Sequence, residues 1–242
     1  MFPRCLRGCG IAGVGIYNRA PASPMNHSTS LLSVLASLLA LFLASCASRS
    51  VTLGPDGKPI DSQGKPVNPF PPGTYDHFKA EADYPKTMSV WKNEQLLAST
   101  HEGNSRIVIS LPIQRGFLMN GDEVVIDYPI SSGVPSRPTP PGKYQILEKL
   151  VDKSSNAYGK VFDAEGNQVG GETPKDVPEG GKFVGAPMPY WMRLTWDGVG
   201  HHIGPLPRSR RAASHACIRG PRAVMPIVYS KVKKGTPVTV EE

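Results

Sequence analysis

Short runs of β-branched and aromatic residues, several of them followed by proline or glycine, recur from residue 105 onward. Such runs favour strands of a half-buried sheet, and the residues that close them favour turns. Glycine and proline each occur 25 times in the 242 residues, which argues against a helical bundle. The predicted strands are residues 106–111, 123–128, 142–147, 191–196 and 236–241.

The connections between these runs add three expectations. An Asn-Gly pair at 120–121, typical of hairpin turns, lies in the stretch that separates the first two runs. A long segment rich in Gly, Pro and Asn between Leu150 and Pro189 predicts a functional lid or a hairpin insertion. Residues 221–232 are the best helix candidate, which Pro226 is expected to kink or shorten. The sequence therefore predicts a mainly β domain with one or two short helices over residues 105–242.

The first 46 residues are typical of an export leader. Residues 31–44 form an apolar stretch of about fourteen residues, shorter than the roughly twenty that span a membrane, and they fit the core of a secretory signal. The leader ends in Leu-Ala-Ser-Cys, which resembles the bacterial lipoprotein signal and implies that Cys46 is acylated and becomes the mature N-terminus. A secreted protein without lipid is the alternative, and Met25 is an alternative start of translation.

Between the leader and the β domain, residues 47–75 are rich in Gly and Pro and predict a flexible tether, followed by a lead-in at 76–104. The expected location is the cell envelope, lipid-anchored and facing the periplasm. The formal net charge of +7 includes no basic block or aromatic ladder, so nucleic acid is not an expected partner. A weakly basic surface suits an anionic polymer such as cell wall, and ordinary surface charge is the commoner explanation.

Cys217, the only cysteine after Cys46, stands in the stretch Ser-His-Ala-Cys-Ile-Arg-Gly. No internal disulfide is then possible in the mature chain, and a lone thiol in an oxidising compartment is a liability unless it is buried or used. Thiolate chemistry needs a base, and His202 and His215 are both candidates. On an extended segment His215 would share a face with Cys217, because the two are separated by one residue.

Other groups near Cys217 suit acyl transfer. The backbone N–H groups of Ala216 and Cys217 can bind an oxyanion, and Arg219 can hold a carboxylate. A helix beginning near Pro221 would place its positive end beside the sulfur and favour the thiolate. A different reading is a zinc hydrolase, whose conceivable ligands are His201, His202, His215 and Cys217, although no CxxC or HExxH spacing supports it.

The stretch resembles the L,D-transpeptidase catalytic domain, the YkuD-type family. The family signature is an upstream His, then Ser/Thr-His-Gly-Cys, an aliphatic residue and Asn or Arg. The matching positions in this chain are His202, Ser214, His215, Cys217, Ile218 and Arg219. Residues 131–144, 188–194 and 233–240 resemble three further family segments. The resemblance implies a β-sandwich or barrel-like domain with a long insertion or lid loop.

The resemblance also implies a mechanism. Cys217 would attack the bond between the L-centre and the terminal D-Ala of a peptidoglycan stem tetrapeptide. An amine of another stem would then resolve the thioester as a 3–3 cross-link, a free D-amino acid would exchange, or water would trim. His202 would be the base, oriented by a carbonyl such as that of Ile203, and His215 would shape the site. The implied contacts to the stem are Ser214, Arg219, Tyr190 and Trp191.

Three positions depart from the family pattern. Ala216 replaces the glycine before the nucleophile, and we expect it in ordinary β geometry. His201 precedes His202, so either histidine could be the base, and Gly220 stands where an aliphatic residue is common. A non-catalytic lipoprotein that binds peptidoglycan is therefore a further alternative. We expect a monomer without metal or cofactor.

Overall fold

The structure is a computed structural model, and it describes residues 52–55, 57 and 59–242. The leader and Cys46 lie outside the described residues. In the described part the protein is mainly β, with strands in four sheets and three short α-helices, one more than the upper number expected. This confirms the predicted fold class. None of the helices in this part is both long and apolar enough to span a membrane.

The bounds of the elements follow in chain order. The strands are β1 (Thr52–Leu53), β2 (Pro59–Ile60), β3 (Trp91–Lys92), β4 (Ser105–Ser110), β5 (Arg115–Asn120), β6 (Glu123–Pro129), β7 (Gly142–Gln145), β8 (Glu148–Leu150), β9 (Ser154–Phe162), β10 (Gln168–Val169), β11 (Lys182–Pro187), β12 (Trp191–Arg193), β13 (Gly200–Ile203), β14 (Ile218–Gly220) and β15 (Pro237–Glu241). The helices are α1 (Tyr75–Lys79), α2 (Glu94–Ser99) and α3 (Met225–Ser230), with a 3-10 turn at Pro174–Asp176.

The largest sheet has six strands in the order β3-β6-β5-β4-β15-β7. The β-branched residues of β4 are almost fully buried, as expected for a strand in the middle of a sheet. The C-terminal strand β15 lies parallel to β4, with Val238 opposite Ile107. The strand β15 is therefore an inner strand of the sheet, between β4 and the edge strand β7.

Strand β5 occupies part of the stretch that the sequence analysis treated as a connection. It has no β-branched residue, and its first two residues are Arg115 and Gly116, which do not indicate a strand. Asn120 ends β5 and is paired to Glu123, so the two-residue turn is Gly121-Asp122 and not the Asn-Gly pair, with Gly121 at a φ of +56°. That positive φ is what such a hairpin turn requires.

The second sheet has four strands in the order β14-β13-β12-β8, and neither large sheet closes into a barrel within the described residues. Both sheets and α3 contribute to one hydrophobic core, including Leu118, Ile126, Met192, Ile218 and Val228. Full burial of each such side chain stabilises the fold by about 1.5–3 kcal/mol. The core thus joins the two sheets in the sandwich-like arrangement that was expected.

The Gly- and Pro-rich segment between Leu150 and Pro189 folds into a sheet of its own. Strand β9 lies between β10 and β11, and both pairings are antiparallel. Gly185 permits the close approach of β11 to β9, since a Cβ there would lie 2.0 Å from the carbonyl oxygen of Ser155. The predicted insertion is therefore a three-stranded antiparallel sheet, called the insertion sheet below.

Helix α3 is shorter than predicted and begins at Met225 rather than near Pro221. Pro226 lies in its first turn, where a missing N–H costs nothing. Strand β14 follows Cys217 directly. The expectation that a helix end would stabilise the Cys217 thiolate is therefore wrong.

A buried ion pair joins the lead-in to the six-stranded sheet. Arg115 Nε donates to Asp127 Oδ1 at 2.6 Å, and both side chains are fully buried. The hydroxyls of Tyr75 and Tyr84 donate to Asp127 Oδ2 at 2.9 and 3.2 Å. The guanidinium of Arg115 also donates to two backbone carbonyls of the lead-in, at 3.0 and 3.1 Å. All hydrogen-bonding groups of the pair thus have partners, as buried charges require.

Candidate active site

A cleft of about 700 Å³ lies between the insertion sheet and the edge of the four-stranded sheet. Its walls come from β9, from the end of β11, from the turn between β12 and β13, and from the loop before β14. The predicted site residues that line it together are Trp191, His202, Ser214, His215, Ala216, Cys217 and Arg219. Residues far apart in the sequence therefore meet in one cleft.

The parallel pairing of β13 and β14 explains which side chains face the cleft. His202 lies opposite Arg219 in register, and Cys217 precedes Arg219 by two positions. Residues two apart on an extended strand share a face, as do residues paired across parallel strands. His202, Arg219 and Cys217 therefore share one face, whereas His201 lies opposite Ile218 on the core side.

Cys217 is half-buried at the end of the loop that leads into β14. The Ser214 hydroxyl donates to the Cys217 carbonyl, and the backbone N–H of Ser214 donates to the Ser132 carbonyl at 3.0 Å. The sulfur lies 3.6 Å from the carbonyl oxygen of Gly198. Burial raises the pKa of the thiol, and the N–H of Gly200 opposes this shift. The resting group is therefore a thiol rather than a thiolate.

The ring of His202 is fixed from two sides. Its Nδ1 lies 2.7 Å from the carbonyl oxygen of Ile203, and its ring centroid lies 5.7 Å from that of Trp191. A carbonyl only accepts, so Nδ1 carries the proton and Nε2 is left as an acceptor. Burial lowers the pKa of His202 to about 4, and the Ile203 carbonyl opposes this shift. The imidazole is therefore neutral at physiological pH.

His201 does not line the cleft. Its ring nitrogens lie 3.0 Å from the Tyr128 hydroxyl and 2.8 Å from the Ile218 carbonyl oxygen, and its ring stacks on that of Tyr128. Burial lowers its pKa to about 4. Both ring nitrogens of His201 have hydrogen-bond partners, so its role is structural. His202 is therefore the histidine of the pair that shares a face with Cys217.

Residues 104–240 match the family model described as the L,D-transpeptidase catalytic domain, YkuD. The match spans more than half of the 242 residues. The chain belongs to the L,D-transpeptidase catalytic domain family. No curated protein matches it in sequence.

Solved L,D-transpeptidases are similar to this chain over part of their length. The Mycobacterium smegmatis L,D-transpeptidase is 23% identical over 57% of this chain and 59% of its own, with a TM-score of 0.43. L,D-transpeptidase 1 of Mycobacterium tuberculosis is 21% identical over 57% and 62%, with a TM-score of 0.41. A mutant Enterococcus faecium L,D-transpeptidase is 28% identical over 57% and 49%, with a TM-score of 0.41. The chain thus spans less than two thirds of each relative.

Ala216 stands where L,D-transpeptidases usually have glycine, and its backbone keeps a conformation that suits glycine. Its φ is +77°, so the expectation of ordinary β geometry is wrong. Thr139 Oγ1 donates to the Ala216 carbonyl at 2.7 Å, and a Cβ on Gly133 would lie 2.8 Å from Ala216 Cα. These neighbours fix the loop, so the backbone of Ala216 is held in the strained left-handed conformation.

Ala216→Gly is therefore expected to stabilise the domain by about 0.5–1 kcal/mol. Relief of the left-handed strain contributes about 1–2 kcal/mol, and the greater freedom of glycine in the unfolded chain offsets about 0.4–1 kcal/mol of it. The measurement is the free energy of unfolding in urea. Ala213→Gly is the matched control, because Ala213 lies in the same loop without a positive φ and should be destabilised. A loss of stability in both variants would contradict the strain argument.

His215 faces the insertion sheet and does not lie on one extended strand with Cys217. Its ring lies 4.3 Å from the Tyr158 ring between centroids, and its Nε2 lies 3.9 Å from Glu172 Oε1. The positive φ of Ala216 bends the chain between His215 and Cys217. The extended segment on which the two would have shared a face is therefore absent at these residues.

The predicted stem contacts differ in position. The aliphatic part of the Arg219 side chain packs over Gly204, where a Cβ would lie 2.6 Å from Arg219 Cγ. Trp191 is 1% exposed, and its indole N–H has no acceptor in the described part of the chain although the residue lines the cleft. Tyr190 packs against the core and Tyr229, at 5.4 Å between ring centroids, and does not line the cleft.

Several residues of the cleft were not predicted from the sequence as site residues. They are Lys153, Tyr158, Arg193, Trp196 and Asp197. The Trp-Asp-Gly turn at the end of a predicted strand was a visible signal for two of them. Nothing in the sequence linked the insertion to Cys217, because only the folded insertion sheet brings Lys153 and Tyr158 to the cleft.

The zinc alternative finds no support in the donor geometry. Among the described residues, no three His, Cys, Asp or Glu side chains meet in an arrangement that suits a metal ion. Of the four conceivable ligands, His201 has both ring nitrogens occupied and His215 packs on Tyr158.

Proposed function

We propose that the protein is a peptidoglycan L,D-transpeptidase with Cys217 as its nucleophile and His202 as its base. The observation that carries the proposal is the register of β13 and β14, which gives Cys217, His202 and Arg219 one face in a single cleft. Membership of the family supplies the reaction class. The reaction needs no metal or cofactor.

The proposed acylation begins from a neutral pair. The pKa of Cys217 is raised by burial and that of His202 is lowered by burial, so the proton resides on sulfur in the free enzyme. His202 Nε2 takes this proton as the sulfur attacks the carbonyl of the bond to the terminal D-Ala. The C–N bond breaks, His202 returns the proton to the leaving amine, and D-Ala departs.

Backbone groups beside the sulfur suit the developing oxyanion. The N–H groups of Ala216 and Cys217 donate to no acceptor within the described part of the chain. Free donors aimed at a developing negative charge are worth about 3–4 kcal/mol each in comparable sites. The Ile203 carbonyl serves differently, since it holds the tautomer of His202. The positive φ of Ala216 aids this arrangement by turning the loop beside the sulfur.

The donor strand is proposed to bind through its carboxylates. Arg219 and Lys153 line the cleft and suit the carboxylates of a stem peptide. Ser214 supports the nucleophile through its hydrogen bond to the Cys217 carbonyl, and His215 closes the site against Tyr158.

The decisive experiment incubates the purified protein with a stem tetrapeptide and follows the products by mass spectrometry. Release of D-Ala, a thioester on the protein and a 3–3 cross-linked dimer are the expected products. Tripeptide without dimer would show L,D-carboxypeptidase activity instead. A passive peptidoglycan-binding protein would release nothing and would not be acylated by a carbapenem.

We also propose that Cys46 carries lipid and holds the enzyme in the cell envelope, facing the periplasm, as a monomer. The proposal rests on the Leu-Ala-Ser-Cys sequence after an apolar segment. Residues 47–75, which include the short paired strands β1 and β2, would serve as the tether.

Cys46→Ser is expected to move the protein from the membrane fraction to the soluble envelope fraction, because the signal still directs export while the acylated sulfur is gone. Immunoblots of fractionated cells measure the change. Cys9→Ser, in the same leader, is the matched control and should stay with the membrane. If the wild type itself is soluble, the lipid proposal fails.

A further inference from the structure

The turn between β12 and β13 presents an aromatic ring and a carboxylate at the cleft. Trp196 is 74% exposed, more than any other large apolar side chain of the described residues, and Asp197 beside it is exposed as well. Both residues line the cleft. A single exposed apolar residue is common on protein surfaces, so its fixation decides whether it matters.

The ring and the turn are held in place. The guanidinium of Arg193 lies 5.4 Å from the centroid of the Trp196 ring and is tied to Glu148 at 3.1 Å. The hydroxyl of Thr195 accepts from the N–H of Val199 at 3.0 Å and closes the turn. One side of the indole is therefore backed by a cation, and the exposed remainder is a preformed surface.

The turn lies next to the reacting sulfur. The carbonyl oxygen of Gly198, the residue after Asp197, is 3.6 Å from Cys217 Sγ. A molecule that contacts Asp197 and Trp196 is thus within reach of an acyl group on Cys217.

Asp197 gives this turn a negative charge beside Arg193, whose own charge is paired with Glu148. The other permanently charged side chains of the lining are cations, namely Lys153, Arg193 and Arg219, and Asp197 is the only carboxylate among the described residues of the lining. No basic side chain of the described residues forms an ion pair with it. Carboxylates of the donor would avoid Asp197, whereas an ammonium group would seek both a carboxylate and an aromatic face.

We propose that Asp197 and Trp196 bind the protonated primary amine of the acyl acceptor. The inference rests on the proposed function, because it concerns the second half of that reaction. The bound ammonium loses one proton to solvent, and the amine nitrogen attacks the thioester carbonyl. The C–S bond breaks, an amide forms, and the second proton passes through His202 to the leaving sulfur. Asp197 thus selects amines that are charged in solution over water and neutral nucleophiles.

An internal competition tests this selection. The purified full-length protein is given a stem tetrapeptide as donor, and a stem tripeptide with a free amine competes with hydroxylamine, which is uncharged at neutral pH. The measured quantity is the ratio of peptide amide to hydroxamate, which does not depend on the rate of acylation. Asp197→Asn is expected to lower this ratio about fivefold, the worth of an exposed ion pair. Trp196→Leu should lower it about threefold, and Trp196→Phe should restore it.

Asp152→Asn is the matched control, because Asp152 is exposed at the base of the insertion sheet but does not line the cleft. Its ratio should equal that of the wild type. An unchanged ratio in Asp197→Asn, with normal release of D-Ala, would overturn the acceptor site and leave the proposed function standing. An equal fall in Asp152→Asn would also overturn it. No release of D-Ala by the wild type would refute the proposed function and this inference with it.

Discussion

Cys217→Ala is expected to abolish release of D-Ala from a stem tetrapeptide and to leave no thioester on the protein. The sulfur is the atom that forms the covalent bond, and a methyl group has no lone pair with which to replace it. Intact-mass spectrometry of the protein and quantification of free D-Ala measure the two effects.

The fold should survive this change. The sulfur loses its contacts with the Gly198 carbonyl, at 3.6 Å, and with the N–H of Gly200. The Ser214 hydroxyl bonds to the backbone carbonyl of residue 217, which alanine retains. An unchanged melting temperature is the check. Unchanged cross-linking by Cys217→Ala would end the hypothesis of a thiol nucleophile.

His202→Ala is expected to lower the rate of acylation about 10²–10⁴-fold, which is the usual worth of a positioned base. The effect is large because burial raises the pKa of Cys217, so that few sulfurs ionise unaided. In the wild type the rate should fall as the pH drops toward about 4, where His202 becomes protonated and can no longer accept. His202→Ala should lack this acid limb.

His201 provides the comparison within the pair. His201→Gln should weaken the fold, because His201 is buried between Tyr128 and the Ile218 carbonyl, while the folded fraction keeps most of its rate. Rates corrected for the folded fraction separate the two roles. If His201→Gln loses the rate and His202→Ala keeps it, the base has been assigned to the wrong histidine.

The strands β4, β6 and β15 were predicted from the sequence. Buried strand positions are occupied by β-branched residues, and these form a pattern that the sequence shows directly. The sequence did not predict β5 and β13. Their strand character comes from pairing with neighbours, as Gly116 and His201 show, and not from their own propensity.

The residues of the candidate site also differ in whether the sequence could predict them. Cys217, His202 and Arg219 were predictable, because a short motif and its upstream histidine carry them. The conformation of Ala216 was not, since it depends on tertiary contacts with Thr139 and Gly133 that no local pattern contains. The cleft residue Lys153 was hidden in the same way by the folding of the insertion sheet.

The contacts of Asp127 and its partner Arg115 indicate where the stably folded part of this chain begins. A polypeptide cut to the family-matched residues 104–240 would lack the hydroxyls of Tyr75 and Tyr84 and the two carbonyls that accept from Arg115. Each lost hydrogen bond to a charged group is worth about 1.5–3 kcal/mol, whereas only roughly 5–15 kcal/mol keeps a domain folded. We therefore expect the stable folding unit to include α1, some thirty residues before the family-matched residues begin.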